Sequence, residues 1–354
     1  MAASLLDRNR APVAFGLRAV PRLFEDLQGP DSGGRLRALT SLCDLMHDPE
    51  RVYQTVNGGF LGQFKGLLED EDPSVRTKTC ELLDVLTGHN IGRQALLCSS
   101  LLPPLSELLD DFSSSCRRNV HRVLSQLTLL PAGAHALLSL VPKLMLKLRL
   151  QEEEKKEEEE EVQVLLLSTI SSCSRLDPLP ALASGGVSLV GRRLSHRSPD
   201  IRREAAAAMM ALSVSAEGKQ QVCKEEAVLP VLVELLQDGD VEVQANAAGV
   251  IMYSVIITTG KRKCLDLDVV PVLLHLVSSR EEQEEEEDEE RRRRRKALVL
   301  YSLRALTSLA EAPDGRSLLL EQLPLLERRS GGEEEDRDIR GAAQAAVRVV
   351  TWTP

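Results

Sequence analysis

The chain has 354 residues, a net charge of −10 and a pI near 5.3; 43 % of its residues are hydrophobic and only 3 % aromatic. The acidic balance argues against general nucleic-acid binding, which rests on phosphate neutralisation by Lys and Arg. A core of Leu, Val and Ala suits closely stacked helices and fits an aromatic-rich β-sandwich poorly.

Residues 1–19 read as an N-terminal extension. Met1 to Arg10 holds no apolar h-region, so no secretory signal is expected. From there a leucine-rich unit recurs about every 41 residues. Pro21, Gly62 and Pro103 are spaced by 41, as are Pro230 and Pro271; Gly92 and Gly133 are 41 apart, Gly218 and Gly260 42. The clearest units open Leu102-Pro103-Pro104-Leu105, Val141-Pro142-Lys143-Leu144, Leu229-Pro230-Val231-Leu232 and Val270-Pro271-Val272-Leu273. A period in the forties with helical spacing inside it is the mark of armadillo or HEAT arrays. The fold class expected is all-α, an armadillo/HEAT-like right-handed α-solenoid of about eight repeats spanning 1–354, with degenerate first and last units as caps. Units start near 20, 61, 102, 141, 187, 228, 269 and 323.

Inside the unit from Val228 to Gly260, a helix begins near Pro230 and breaks at Asp238-Gly239-Asp240. A second runs from Val241 to about Ile257, and a third, minor one covers Lys261 to Leu267. Three helices per unit match the armadillo version. Gly260 reads as a helix C-cap, where glycine takes positive φ cheaply. The recurring step before Val75-Arg76, Cys116-Arg117 and Ile201-Arg202 reads as a helix start, with Ser or Asp accepting free N–H groups. Those arginines read chiefly as salt-bridge or carbonyl partners. The uncharged stretch from Val123 to Pro142 tempts a membrane reading, but Pro131-Ala132-Gly133 falls where the repeat breaks.

Two low-complexity runs interrupt the array. Residues 151–161 (QEEEKKEEEEE) read as an acidic loop, and residues 280–296 as a Glu/Arg insert in the penultimate repeat. In the second, Glu287–Arg291, Asp288–Arg292, Glu289–Arg293 and Glu290–Arg294 are acid-to-base i,i+4 pairs worth roughly 1–2 kcal/mol together. The Arg end is expected to prolong the following helix and the Glu end to be mobile.

No nucleotide, zinc-protease or hydrolase motif is present, and six histidines are scattered singly. No enzyme activity, cofactor or metal is expected. The seven cysteines include no CxxC; Cys223 and Cys264, 41 apart, read as equivalent buried thiols. In armadillo arrays the last helix of each unit lines a concave groove. Aligning Val75, Cys116, Ile201 and Val243 gives the groove pairs Glu81 and Val85, Arg122 and Gln126, Ala207 and Ala211, and Gly249 and Tyr253, followed by Arg304 and Ser308. The Trp/Asn ladder of nuclear-import adaptors is missing there. The predicted protein-binding residues are Glu81, Arg122, Gln126, Gly249, Tyr253, Arg304 and Ser308, facing a helix or an extended chain.

The segment Leu42-Cys43-Asp44-Leu45-Met46-His47-Asp48-Pro49-Glu50, with Val52-Tyr53 and Asn57-Gly58-Gly59, resembles the radial spoke head 14 family of armadillo proteins, also called the rhabdoid tumour deletion region family. Glu217 to Cys223 and Ala310 to Arg316 add to the likeness, which runs from about Ala11 onward; the Glu281–Lys296 insert and the alanine-rich helix at Arg203 to Ala211 depart from it. The resemblance implies a non-catalytic scaffold of the axonemal radial spoke in motile cilia and sperm flagella. Other radial spoke proteins are the implied partners, with no nucleic acid, membrane or small-molecule substrate. A soluble adaptor binding peptides reversibly in its groove is the alternative reading.

Overall fold

The structure, a computed structural model, describes residues 9–11, 16–154, 160–278, 288–332 and 334–353. Among them all regular structure is helical. Among the described residues nine helices have 14 residues or more; one, Val141–Glu154, precedes α4, and the other eight are α1 (Ser32–Leu45), α2 (Pro73–Thr87), α3 (Ser114–Leu127), α4 (Glu160–Leu176), α5 (Pro199–Ser213), α6 (Val241–Ser254), α7 (Glu289–Leu309) and α8 (Arg337–Val350). One of these eight falls in each expected repeat. From the second repeat on, two shorter helices precede each long one, as Ala216–Lys224 and Val228–Leu235 precede α6. The chain divides into two compact units, residues 1–140 and 141–354, with the boundary at the start of the fourth repeat. In the first unit α1, α2 and α3 stack in order; in the second, α4 through α8 do so.

The long helices share one core pattern. In α2 the buried residues are Val75, Thr79, Cys80, Leu82, Leu83, Leu86 and Thr87. The same spacing from Ile201 gives the buried Ile201, Ala205, Ala206, Ala208, Met209, Leu212 and Ser213 of α5. From Leu298 it gives Leu298, Ser302, Leu303, Ala305, Leu306, Leu309 and Ala310. So wide a stripe is needed because each inner long helix packs on two long neighbours and on its own short helices. Small residues at the fifth position of the pattern (Ala205, Ala247, Ser302, Ala343) let the helix axes approach.

Helix starts follow the expected chemistry. Asp72 accepts from the Ser74 N–H, Ser113 from Cys116, Asp240 from Glu242 and Val243, and Asp336 from Asp338 and Ile339. Ser198 departs from it: its side chain caps nothing, and its own N–H donates to His196 Nδ1 at 3.1 Å.

The arginine after the first core residue is a clamp with two ends. Arg76 Nη1 donates to the carbonyls of Asp70 (2.7 Å) and Glu71 (3.2 Å), closing the loop before its own helix. Its Nε donates to Asp111 Oδ2 at 2.7 Å, in the equivalent loop of the next repeat. Asp111 in turn accepts from the Ser113 N–H at 2.8 Å, and its carbonyl receives Arg117 at 2.7 Å. Arg35 repeats the arrangement one step earlier, on the carbonyls of Gly29 and Pro30 and on Asp70. In the second unit Arg202 does so on His196, Arg197 and Asp238. Arg76, Arg117 and Arg202 are thus carbonyl partners, and Arg76 and Arg202 also make ion pairs.

The glycine beat has a different cause from the one expected. Gly260 is no C-cap: it lies in the first turn of Thr258–Asp266, and none of the beat glycines has positive φ. A Cβ on Gly92, Gly133, Gly218, Gly260 or Gly315 would stand 1.9, 1.9, 1.8, 2.0 or 2.3 Å from a carbonyl oxygen in the last turn of the preceding long helix. Glycine is required there because two backbones touch. The next residue is usually basic and caps the same helix end: Arg93 on Thr87 O and Gly88 O, Lys219 on Val214 O and Ser215 O, Arg316 on Ala310 O.

The two charged runs interrupt the clamp. Where the clamp arginine is expected, α4 has Gln163 and α7 has Val299. A buried arginine from the following repeat acts instead. Arg193 donates to Leu148 O at 2.9 Å and to Gln163 Oε1 at 3.2 Å; Arg329 donates to Val277 O at 2.8 Å and pairs with Glu334 at 2.6 Å. The expected loop over 151–161 is shorter than that: the preceding helix runs to Glu154 and α4 starts at Glu160, with residues 155–159 outside the described residues. The Arg run does prolong its helix. Asp288 caps α7 by accepting from Arg291 N–H, and Glu290–Arg294 pairs at 2.6 Å; Glu281–Glu287 lie outside the described residues.

Two stability predictions follow from these joints. Arg76→Met leaves Asp111, whose side chain is 3 % exposed, buried without its cation; unfolding free energy is expected to fall by about 3 kcal/mol, and Asp111→Asn in the same chain to recover part of it. Gly218→Ala is expected to cost about 1–3 kcal/mol through backbone overlap, whereas Gly66→Ala, with open space at its Cβ inside a helix, is expected to gain about 0.5–1 kcal/mol. Denaturant titrations of the purified variants check both.

Candidate protein-interaction face

Each long helix buries its core stripe and leaves a narrow face open, opposite its short helices. In the first unit this face carries Glu81 and Val85 of α2 and Arg122 and Gln126 of α3, all half-buried. Its charges are matched within the protein: Lys78 pairs with Glu81 at 2.6 Å, and Arg122 lies 3.9 Å from Asp84. Four of the predicted positions thus share a face, and that face is electrostatically closed on itself.

The second unit differs. Ala207 of α5, Tyr253 of α6 and Arg304 and Ser308 of α7 reach the open face. Two predicted positions do not. Ala211 is buried, and Gly249 is covered by Met210 of the neighbouring helix; a Cβ on Gly249 would lie 2.6 Å from the Met210 sulfur. The methionine fills the place where a larger side chain at 249 would stand.

Tyr253 is held by a cation from a preceding short helix. Lys219 Nζ lies 5.5 Å from its ring centroid, a cation–π contact, and on α7 burial first, then the nearby Tyr253, raise Tyr301 against the opposing effect of Arg304. Tyr301 is half-buried one turn before Arg304. Neither tyrosine hydroxyl nor the Arg304 guanidinium has a hydrogen-bond or ion-pair partner among the described residues. One turn beyond the predicted positions stand Val214 (50 % exposed) and Ile256 (53 % exposed). Trp352 follows the last long helix by two residues, with Arg316 5.7 Å from its ring centroid. Met210, Val214, Ile256 and Tyr301 were missed from sequence. Extending the groove positions by one turn along each helix reaches Val214, Ile256 and Tyr301; Met210 carries no such signal.

Three carboxylates of the second unit are paired within the protein. Asp240 receives Arg203 at 2.6 Å, Glu242 receives Arg294 at 3.1 Å, and Glu311 pairs with Lys261. Burial pushes Asp240 up, but the bonds from Arg203 and from the backbone of Glu242 and Val243 outweigh it and hold the group below its ordinary value. Glu204 goes the other way: burial, then the nearby charge of Glu242, raise it against the opposing effects of Ser168, Arg175 and Arg203. Desolvation lowers Lys219. An acid raised in the folded state lowers stability as pH climbs past its unfolded value of about 4.3. Glu204→Gln is therefore expected to raise the melting temperature at pH 7 and leave it unchanged at pH 3, and Asp240→Asn to lower it at pH 7. Thermal melts at the two pH values check the signs.

Among the described residues no group of three His, Cys, Asp or Glu side chains could hold a metal ion, and no helix is long and apolar enough to cross a membrane. The fold is that of a known helical repeat. The crystal structure of an engineered protein superposes with a TM-score of 0.75 at 18 % identity, covering 95 % of this chain and 89 % of the other. Neither this likeness nor the family match points to an enzyme family. The family match spans residues 67–279, more than half of the chain, and takes in the whole of α2, α3, α4, α5 and α6. By that match the chain belongs to the dynein axonemal assembly factor 5-like family of TPR-repeat proteins.

Proposed function

We propose that the protein is a non-catalytic scaffold of the machinery of motile cilia and flagella, acting by binding other proteins on the open face of its helical repeats. The observation that carries this reading is the family match over residues 67–279, a family described by axonemal dynein assembly. The repeat architecture supports it, since such arrays bury one side of every unit and offer the other to partners. The residues at Leu42 to Glu50 support a finer version: a structural subunit of the radial spoke, holding neighbouring spoke proteins in register within the axoneme. A second reading is favoured by the family description itself, in which the protein is a soluble adaptor for axonemal dynein before it enters the cilium.

Extraction separates the two. A spoke subunit is expected to stay with demembranated axonemes and to leave only in high salt. Recovery wholly in the detergent-soluble fraction, with dynein chains co-purifying, would replace the spoke reading by the assembly one. Absence from both ciliary and dynein-containing fractions would remove the ciliary reading and leave only a scaffold of unknown address.

A further inference from the structure

In an aromatic-poor chain with three tyrosines, two lie on the packed helices α6 and α7 of the second unit, Tyr301 one turn before the unpaired Arg304. Around them lie Met210, laid over Gly249, and the exposed Val214 and Ile256. Tyrosine, methionine and arginine are the residues enriched at the buried centres of protein interfaces. Their usual roles are separable here: the apolar side chains supply area, while two hydroxyls and one guanidinium supply fixed donors. The donors ask for an anionic acceptor: Asp240, Glu242 and Glu311 are all paired, and burial disfavours the charged form of Glu204. The protein carries a net charge of −10, so this is a locally cationic place on an acidic molecule.

The backbone state of the occupant can also be argued. An extended chain brings an unsatisfied N–H and C=O at every residue and needs polar side chains to meet them. Along α5 to α7 the open face offers the apolar Ala207 and Met210, and besides its tyrosines and Arg304 only Asn246 and Ser308 could meet an extended backbone. A helix meets its own backbone bonds and needs only an apolar seat and charge complementarity at its flank.

We propose that the face formed by Met210, Val214, Ile256, Tyr253, Tyr301 and Arg304 docks an amphipathic helix of a partner protein, whose apolar side rests on Met210, Val214 and Ile256 and whose flanking carboxylate meets Arg304 and the two tyrosine hydroxyls. This rests on the scaffold reading and assigns it a contact. The first unit, whose face charges are matched internally, is not the seat of this contact.

The test uses the full chain and three labelled synthetic probes of about 18 residues. One is a stapled helix with a leucine face flanked by glutamates, the second is its lysine-flanked twin, and the third has the glutamate helix's composition with two prolines that keep it extended. Fluorescence anisotropy is expected to give at least tenfold tighter binding of the glutamate helix than of the other two. Arg304→Glu is expected to reverse the preference between the two helices, and Tyr253→Phe with Tyr301→Phe to weaken the glutamate helix several-fold. An unchanged melting temperature in each variant shows that folding is intact. Equal binding of all three probes, binding of none, tighter binding of the extended probe, or indifference to Arg304→Glu would each overturn the proposal. If the probe prefers as expected but the protein is absent from ciliary and dynein-containing fractions, the docking face stands and the ciliary reading fails. If Arg304→Glu abolishes probe binding yet the variant still enters its ciliary complex normally, scaffolding uses another face.

Discussion

The arginine at the head of the long helix governs the rest of the structure. Arg35, Arg76 and Arg202 each hold two carbonyls of their own loop and a carboxylate of the next one, so one side chain fixes both the shape of a repeat and its distance from its neighbour. The carboxylate is itself tied to the backbone: Asp70, Asp111 and Asp238 each accept from an N–H two residues on. The result is a chain of charge-assisted bonds running from repeat to repeat beside the hydrophobic core. Apolar packing alone would tolerate some sliding of stacked helices. A planar guanidinium that must meet carbonyls on one side and a carboxylate on the other does not.

This division of labour explains why the open face is free to vary. The core stripe and the two recurring basic positions, one at each end of the long helix, carry the architecture. The residues at Glu81, Arg122, Ala207, Tyr253 and Arg304 carry none of it, so their chemistry differs from repeat to repeat. In the first unit they are absorbed into local ion pairs; in the second they leave donors unspent. A scaffold gains specificity this way, because only some repeats of a uniform array are sticky.

Much of the fold was legible in the sequence because its period is long and its punctuation strict. The repeat starts near 102, 141, 187, 228, 269 and 323 fall at or beside the starts of short helices, and the Arg291–Lys296 run joins α7 as its i,i+4 pairs suggest. The glycines were visible but misread: sequence shows that a small residue is wanted, not whether the reason is a backbone angle or a neighbour's carbonyl. The face was half legible. Helical spacing set Tyr253 and Arg304 off the buried stripe, and both lie outside the core. It could not find Met210, because a side chain that crosses to cover Gly249 belongs to the packing between two helices, and no single helix's pattern contains it.

The glycine contacts also say where this protein can change length. Between a long helix and the next short one the backbones already touch, with a carbonyl where a methyl group would be, so that joint has no slack for an added residue. Between the second short helix and the long one the path is held by local turns and by an arginine side chain, and an arginine from the following repeat can take over that work, as Arg193 and Arg329 do. Both charged runs of the chain sit at joints of the second kind. Growth of the array by insertion is thereby channelled to one of its two kinds of corner, which gives evolution, or an engineer placing a tag, a rule for lengthening a repeat without disturbing its neighbours.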